Sequence, residues 1–324
     1  KMKYIITSDF HGNTEHMHQL ERAIKEHNPD VFIYAGDLGP VRENYGTPLL
    51  QHDYVLKNLL IPMSQLNVKF KFCMPGNTDF GWAIQEYKRK FDDPSILKIV
   101  DTENYNLDGV NLIFLSKVNY TDHCLKDREL MNKFDQLPKN CKHYKQNHVF
   151  SREQFSDQDE EITASDLLKY NLKYFEVFDN YEAVKSPYKE RLNSTIFDTL
   201  QSLYDPLAKN LIFSHGPPKD TVADLVTTKS PQGDLHVGSV DLRRFLEQNK
   251  VQSLFCGHIH QAVLLSRQFE DEVNGCGVFA TGNTGIDGPL HFTKMHCLVW
   301  EEGKCERVSY KCKPVQFYLT RKFE

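Results

Sequence analysis

Apolar residues in the first hundred positions fall in short blocks, separated by longer stretches that repeat at helical spacing. Tyr4-Ile5-Ile6-Thr7 reads as a buried strand ending at Ser8-Asp9. A helix follows, with Met17, Leu20, Ile24 and His27 along one side. Val31 to Ala35 forms a second buried run, stopped by Gly36-Asp37. Leu49 to Leu66 reads as mostly helical, and Val68 to Met74 is a third strand, ending at Pro75-Gly76-Asn77. Strands alternating with helices predict parallel βαβ units and an α/β fold.

Leu97 to Val100 and Val110 to Leu115 continue the strand pattern, and then the chain changes character. From about Val118 to Asp205 it is polar, with two amphipathic stretches. One carries Leu168, Leu172, Phe175 and Phe178, the other Leu192, Ile196, Leu200 and Leu203. The expectation is one domain over residues 1–324 with a helical insertion or cap at about 118–205. A pair of ordinary layer helices joined by a long loop is the alternative. Regular structure resumes with Asn210 to Phe213, a helix near Leu242, Phe245 and Leu246, and Ser253 to Cys256. The pattern then turns to antiparallel strands, including Gly277 to Ala280 and His296 to Trp300.

The 324 residues, 40% hydrophobic and 26% charged, can fill a core and leave an ordinary polar surface. No apolar run approaches the length needed to span a bilayer, so no membrane association is expected. The first residues enter a strand at once, which leaves no room for a signal peptide and points to the cytoplasm. The eight cysteines form no CxxC pair and read as reduced thiols in that compartment; the sequons at Asn119 and Asn193 then go unused. A net charge of −5, with no basic aromatic-rich stretch, argues against a nucleic-acid partner. The oligomeric state is left open.

Five of the apolar runs end in potential metal ligands: Asp9-Phe10-His11, Gly36-Asp37, Gly76-Asn77, Ser214-His215-Gly216, and Gly257-His258-Ile259-His260. Singly, each is commonplace: a Gly-Asp or Gly-Asn is usually a turn, and a lone histidine usually a satisfied core residue. Strand alternation would put His258 and His260 on one face. Five clusters at successive strand ends are another matter, because in an open α/β sheet those ends line one edge, where ligands collect. The donor types fit a pair of divalent cations. Asp9 and Asp37 cancel part of the charge, while neutral His11, Asn77, His215, His258 and His260 complete the coordination, leaving a positive field for a phosphate anion. Carboxylate, amide oxygen and imidazole together suit manganese, iron or zinc, with manganese first among them.

The set D-x-H, G-D, G-N, S-H-G and G-H-x-H resembles the calcineurin-like metallophosphoesterase superfamily. The stretch from Ser214-His215-Gly216-Pro217-Pro218 through His236-Val237-Gly238-Ser239 to His260 is most similar to the Icc-related phosphoesterases. The resemblance covers Asp9 to His260. It implies a mixed β-sandwich flanked by helices. It also implies Asp9, His11 and His260 on one metal, Asn77, His215 and His258 on the other, and Asp37 bridging. The implied reaction is in-line attack of metal-bound hydroxide on a phosphodiester or phosphomonoester, with a small-molecule or nucleotide-like substrate.

The sequence departs from that pattern at Thr78, where many members carry a histidine able to protonate the leaving group. A threonine hydroxyl is a poor acid at neutral pH. His236, in the polar loop after His215, is the candidate substitute, against a surface role that alone would account for it. The departure also tilts the expectation towards diesters. Asn13 could touch phosphate or cap the first helix; Asp79 could cap the next helix or orient a ligand. The longer G-D-x-V-D-R-G and G-N-H-E signatures of protein phosphatases are absent. The rival reading is a phosphoesterase scaffold turned into a non-catalytic metal-binding interaction module. Aromatics in the insertion (Tyr170, Tyr174, Phe175, Phe178, Tyr181) could stack on a base, though at helical spacing core packing is the favoured role.

Overall fold

The computed structural model describes residues 1–40, 48–79, 81–119, 195–227, 235–283 and 294–313. Two mixed sheets stack face to face with helices outside each, the architecture the motifs implied. The centre of the first is the parallel set β1 (Lys3–Thr7), β2 (Val31–Ala35), β3 (Phe70–Met74) and β5 (Leu97–Ile99). The short β4 (Asp92–Asp93) and the hairpin β14 (Lys294–Glu301) and β15 (Lys304–Lys311) close it in antiparallel fashion. The order across this seven-stranded sheet is β15-β14-β1-β2-β3-β5-β4.

In the second sheet β7 (Val110–Leu115), β8 (Lys209–Ser214), β11 (Ser253–Cys256) and β13 (Cys276–Ala280) run parallel. The edges are β6 (Thr102–Leu107) and β12 (Glu270–Val273), both antiparallel to their neighbours. Its six strands follow the order β12-β13-β11-β8-β7-β6. The sequence pattern does not announce β6, whose Thr-Glu-Asn-Tyr-Asn-Leu has only two apolar side chains because most of an edge strand faces water. A separate ribbon pairs β9 (Leu225–Val226) with β10 (Leu235–His236).

Side-chain alternation sorts the central strands into three apolar layers. Tyr4 and Ile6 of β1 face the second sheet, while Ile5 faces the helices. On β7, Leu112 and Phe114 join the layer between the sheets, and Ile113 and Leu115 pack outward. A file of rings crosses the second sheet on its inner face: Phe114, Phe213, Phe255 and Phe279, with centroids 5.4, 5.2 and 5.5 Å apart. Phe72 reaches across from the first sheet, 5.4 Å from Phe114. These contacts fix the two sheets against each other.

Helix α1 (Thr14–His27) covers the outside of the first sheet with Met17, Leu20, Ala23 and Ile24. Asn13 caps it by accepting from Glu15 N at 3.0 Å. His27 is only half-buried and meets the Tyr310 hydroxyl rather than the core. The helical stretch expected at Leu49–Leu66 is broken into α2 (Pro48–Val55), a π-turn (Leu56–Leu60) and α3 (Ile61–Ser64). Pro62 has no N–H to continue the regular ladder, and Ile61 N instead bonds Leu56 O, five residues back. Helix α4 (Gly81–Lys90) completes this layer.

The second sheet is covered by α5 (Ile196–Leu203) and α6 (Val240–Gln248), which bury Ile196, Leu200, Leu242, Phe245 and Leu246 together. From Ile196 to Leu203 the second of the two amphipathic stretches at 118–205 is therefore a layer helix over the second sheet, and Leu192 lies outside the described residues. The first, with Leu168 to Phe178, and Cys124, Cys141 and Asn193 lie outside the described residues. Cys73, Cys256, Cys276, Cys297, Cys305 and Cys312 are free thiols. Among the described residues no helix is long and apolar enough to cross a membrane.

Phe213→Ala should remove the centre of the ring file and leave a cavity the β-strands cannot close, costing about 3–5 kcal/mol. Denaturant unfolding of the two proteins checks this; a loss under about 1 kcal/mol would mean the file does not hold the sheets together.

Candidate metal centre

Because β1, β2 and β3 run parallel, the loops after them leave the first sheet at one edge, and the loops after β8 and β11 leave the second sheet likewise. The two edges meet at the same end of the sandwich. Gly257 N donates to His215 O, and His258 N donates to the Asp9 carboxylate at 3.1 Å. The first two loops are zipped by Asp9 N to Gly36 O (2.8 Å), His11 N to Asp37 O (3.1 Å) and Gly12 N to Leu38 O (2.8 Å). The Tyr34 hydroxyl accepts from Phe10 N and donates to Asp37 O, both at 2.8 Å.

These bonds hold the backbone in conformations it would not choose. Asp9 (φ 56°), His11 (φ 45°), Asp37 (φ 59°) and His258 (φ 68°) all lie in the left-handed region. Each costs on the order of 1 kcal/mol for a residue with a Cβ. That four predicted ligands share this strain marks the loops as shaped for a site. Close approach also dictates glycine: a Cβ at Gly36 would lie 2.0 Å from His215 Nδ1, and one at Gly76 would lie 2.2 Å from Asp37 Oδ1.

Two groups of donor atoms result, and Asp37 belongs to both. Asp9, His11, Asp37 and His260 present one atom each within 4.8 Å of one another, and so do Asp37, His215 and His258. His11 Nε2 and His260 Nε2 face each other at 3.0 Å, with Asp37 Oδ2 3.5 Å from the former and Asp9 Oδ1 3.5 Å from the latter. Two imidazole lone pairs cannot face each other that closely unless a proton or a cation lies between. In the second group, His215 Nε2 is 3.2 Å from Asp37 Oδ1 and 2.9 Å from Asn77 Oδ1. His215 Nδ1 lies 3.0 Å from Ala35 O, a carbonyl that can only accept, so Nδ1 carries the hydrogen and Nε2 is the nitrogen free to coordinate. Hard oxygen and borderline nitrogen donors of this kind fit divalent cations.

Burial is uneven. Asp9, His11, Asp37, Asn77 and His215 are at most 3% exposed, whereas His258 and His260 are half-buried. The centre therefore has a sealed floor and opens along the His258–His260 loop. That loop lies beyond the end of β11, so the two imidazoles do not share a strand face as alternation suggested. The turn at His258 sends them to different groups, His258 to His215 and His260 to His11.

Electrostatics follow from the crowding. Burial would lift the Asp37 carboxyl, but the charges and hydrogen bond of His215 and the charges of His11 and His258 hold it well below the usual carboxylate range. Asp9 is likewise held low, against its burial, by His260 and His215. Burial pushes His11 down to about 4 and His258 to about 3, the latter helped by His215. His215 goes the other way: burial opposes its charge, but Asp37 outweighs that and raises it to about 9.

Several supports were not legible as such. The Asp79 carboxylate accepts from Leu38 N (3.1 Å), Gly39 N (2.7 Å) and Gly76 N (2.7 Å), so it ties the second and third loops together. Ser8 Oγ bonds the Asp9 carboxylate and sits 2.6 Å from Thr281 Oγ1. Asn283 donates to Ser8 O and to His296 O. Thr281-Gly282-Asn283 follows the end of β13, and its Gly-Asn pair at a strand end was a signal of the same kind as Gly76-Asn77. His236 belongs to neither donor group; it lies on β10 and its Nδ1 is 2.6 Å from Asp224 Oδ1.

The chain belongs to the calcineurin-like phosphoesterase family, whose profile matches residues 2–262. An uncharacterized protein of Methanocaldococcus jannaschii, MJ1162, is 31% identical over 83 residues, 24% of this chain and 37% of that protein. The match thus spans little more than a third of that relative's length. The crystal structure of TT1561 from Thermus thermophilus aligns at a TM-score of 0.50 and 10% identity, covering 95% of this chain and 98% of that one. Another crystal structure reaches 0.54 at 13% identity, covering 96% and 99%. At such identities the likeness is one of fold.

Two outcomes test this geometry. Gly76→Ala should push Asp37 and His215 out of place and cut Mn²⁺ binding by at least about a hundredfold, measured by titration calorimetry, with circular dichroism confirming the fold. A cation on His215 Nε2 must displace the proton held there up to about pH 9 in the metal-free protein. Affinity should therefore fall about tenfold per pH unit as pH drops below that value, with proton release on binding. Calorimetry in buffers of different ionisation enthalpy measures it, and pH-independent binding would exclude His215 as a ligand.

Proposed function

We propose that the protein hydrolyses a phosphate ester at a dinuclear metal centre. Asp9, His11 and His260 would hold one divalent ion, Asn77, His215 and His258 the other, and Asp37 would bridge them. The observation that carries this reading is the pair of donor groups sharing Asp37, each with its donor atoms within 4.8 Å of one another, and Asn77 Oδ1 2.9 Å from His215 Nε2. When bound, the two cations would supply Lewis acidity, lowering the pKa of water and offsetting charge on the phosphoryl oxygens.

The residues of the chain have their own part. The sealed floor of Asp9, His11, Asp37 and His215 keeps bulk water from the buried side, which strengthens every charge interaction there. The half-buried His258 and His260 leave one approach for the phosphate. The bonds from Asp79, Tyr34 and Ala35 hold the donors in place before substrate arrives. Small-molecule or nucleotide-like esters suit this reading, and the threonine after Asn77 favours diesters over monoesters. Manganese is the first choice among manganese, iron and zinc. Retention of every donor type argues against a non-catalytic binding module.

The test uses protein stripped of metal and reloaded with Mn²⁺, assayed on bis-p-nitrophenyl phosphate and p-nitrophenyl phosphate, with Asp37→Asn as control. Turnover of at least one ester, reduced on the order of 10³-fold by Asp37→Asn, is expected. Two bound metals with no turnover of either ester would replace this reading with the binding module.

A further inference from the structure

Hydrolysis of an unactivated ester needs a proton for the departing oxygen, and the position after Asn77 cannot supply it. Thr78 is buried; its hydroxyl donates to Gly39 O at 3.4 Å and its N–H to Asp37 Oδ1 at 2.9 Å. Another imidazole is built differently. The His236 side chain is 40% exposed, while the Asp224 carboxylate beside it has no exposure at all. Asp224 Oδ1 receives His236 Nδ1 (2.6 Å) and Thr221 N (3.0 Å), and Oδ2 receives Asp220 N (3.1 Å) and Gly238 N (2.9 Å). Four donors satisfy an ionised carboxylate, so Nδ1 keeps its hydrogen and Nε2 is the nitrogen left to act.

The ribbon carrying His236 is fastened to the centre from two sides. Ser239 N bonds Pro217 O at 2.9 Å, Lys219 N bonds Ser239 O at 3.0 Å, and Pro218 pairs with Ser239 in parallel. These bonds hold Ser239, three residues after His236, against the segment that follows His215. Val237 O also receives Asn119 Nδ2 at 3.1 Å, next to Val118, which packs on Gly216. On the other side, helix α7 (Ala262–Ser266), which begins just after His260, packs against β9. The ribbon thus packs beside the segments that directly follow both histidine loops, residues 217–219 and Ala262–Ser266.

We propose that His236 is the catalytic proton donor to the leaving group and that Asp224 is the residue that positions it, an assignment that rests on the hydrolytic reading above. As the bond from phosphorus to the leaving oxygen breaks, its electron pair stays on that oxygen, which takes the Nε2 proton of the imidazolium. The oxygen of water forms the new bond to phosphorus, and its proton passes to solvent. The product alcohol leaves, and solvent returns a proton to Nε2 while Nδ1–H stays on Asp224.

The experiment compares leaving groups on the Mn²⁺-loaded enzyme, using phenyl and 4-nitrophenyl esters as monoester and diester pairs. A nitrophenolate departs without help; a phenolate gains from a proton. His236→Gln should lower kcat for the phenyl ester about a hundredfold or more and for the nitrophenyl ester by about tenfold or less, with KM and metal content little changed. Asp224→Asn should show the same selective loss in kcat, with its melting temperature measured alongside. Loss of equal size on both esters, or none on either, would overturn the assignment and leave the hydrolytic reading standing. A wild-type enzyme that turns over neither ester would remove both.

Discussion

The Asp37 carboxylate is almost completely withdrawn from water at the seam between two sheets, and much of the structure is arranged to compensate its charge. A buried ion left alone would cost several kcal/mol, so its neighbours must be cationic or donating. His215, His11 and the Thr78 N–H fill that need from three different loops. The compensation is not complete among the protein groups alone, since histidines crowded nitrogen to nitrogen cannot all be charged. A pair of cations would resolve that crowding, and donor type, strain and glycine placement converge on the same conclusion.

Such loops need a frame that does not yield. The parallel cores of both sheets deliver the loops to one end, and the ring file between the sheets fixes the distance across which His215 must reach Ala35. The strained backbone at Asp9, His11, Asp37 and His258 persists because ladder-like bonds between loops over-determine it. Asp79 and Tyr34 bond backbone groups of these loops and so fix their shape. The family match covers this frame, residues 2–262, while the hairpin of β14 and β15 lies beyond it and braces the first sheet through β1.

The asymmetry of burial is what links the centre to its surroundings. The floor is closed on the Asp9–Asp37–His215 side, while His258 and His260 are half-buried. Asp224, with four donors on one carboxylate, has the satisfied hydrogen bonding expected of a group whose orientation matters.

The sequence by itself marked the parallel strands at the centre of each sheet and seven candidate donor residues, because each candidate cluster directly follows an apolar run whose burial is set by local chemistry. It also carried the family, through motifs whose spacing reflects strand ends. Periodicity alone did not determine which donors meet. Alternation would put His258 and His260 on one face, and only the family resemblance implied that they part; a left-handed turn at His258 sends them to different groups. Nor could it reveal β6, whose polar edge carries no pattern, or the break at Pro62, which redirects bonding within an otherwise helical stretch. Thr281, Asn283 and Asp79 support the centre only through contacts over long separations or within folded loops. Periodicity records which face of an element is buried; only the tertiary structure decides what that face meets, because burial, hydrogen-bond satisfaction and charge compensation are settled between elements and not along the chain.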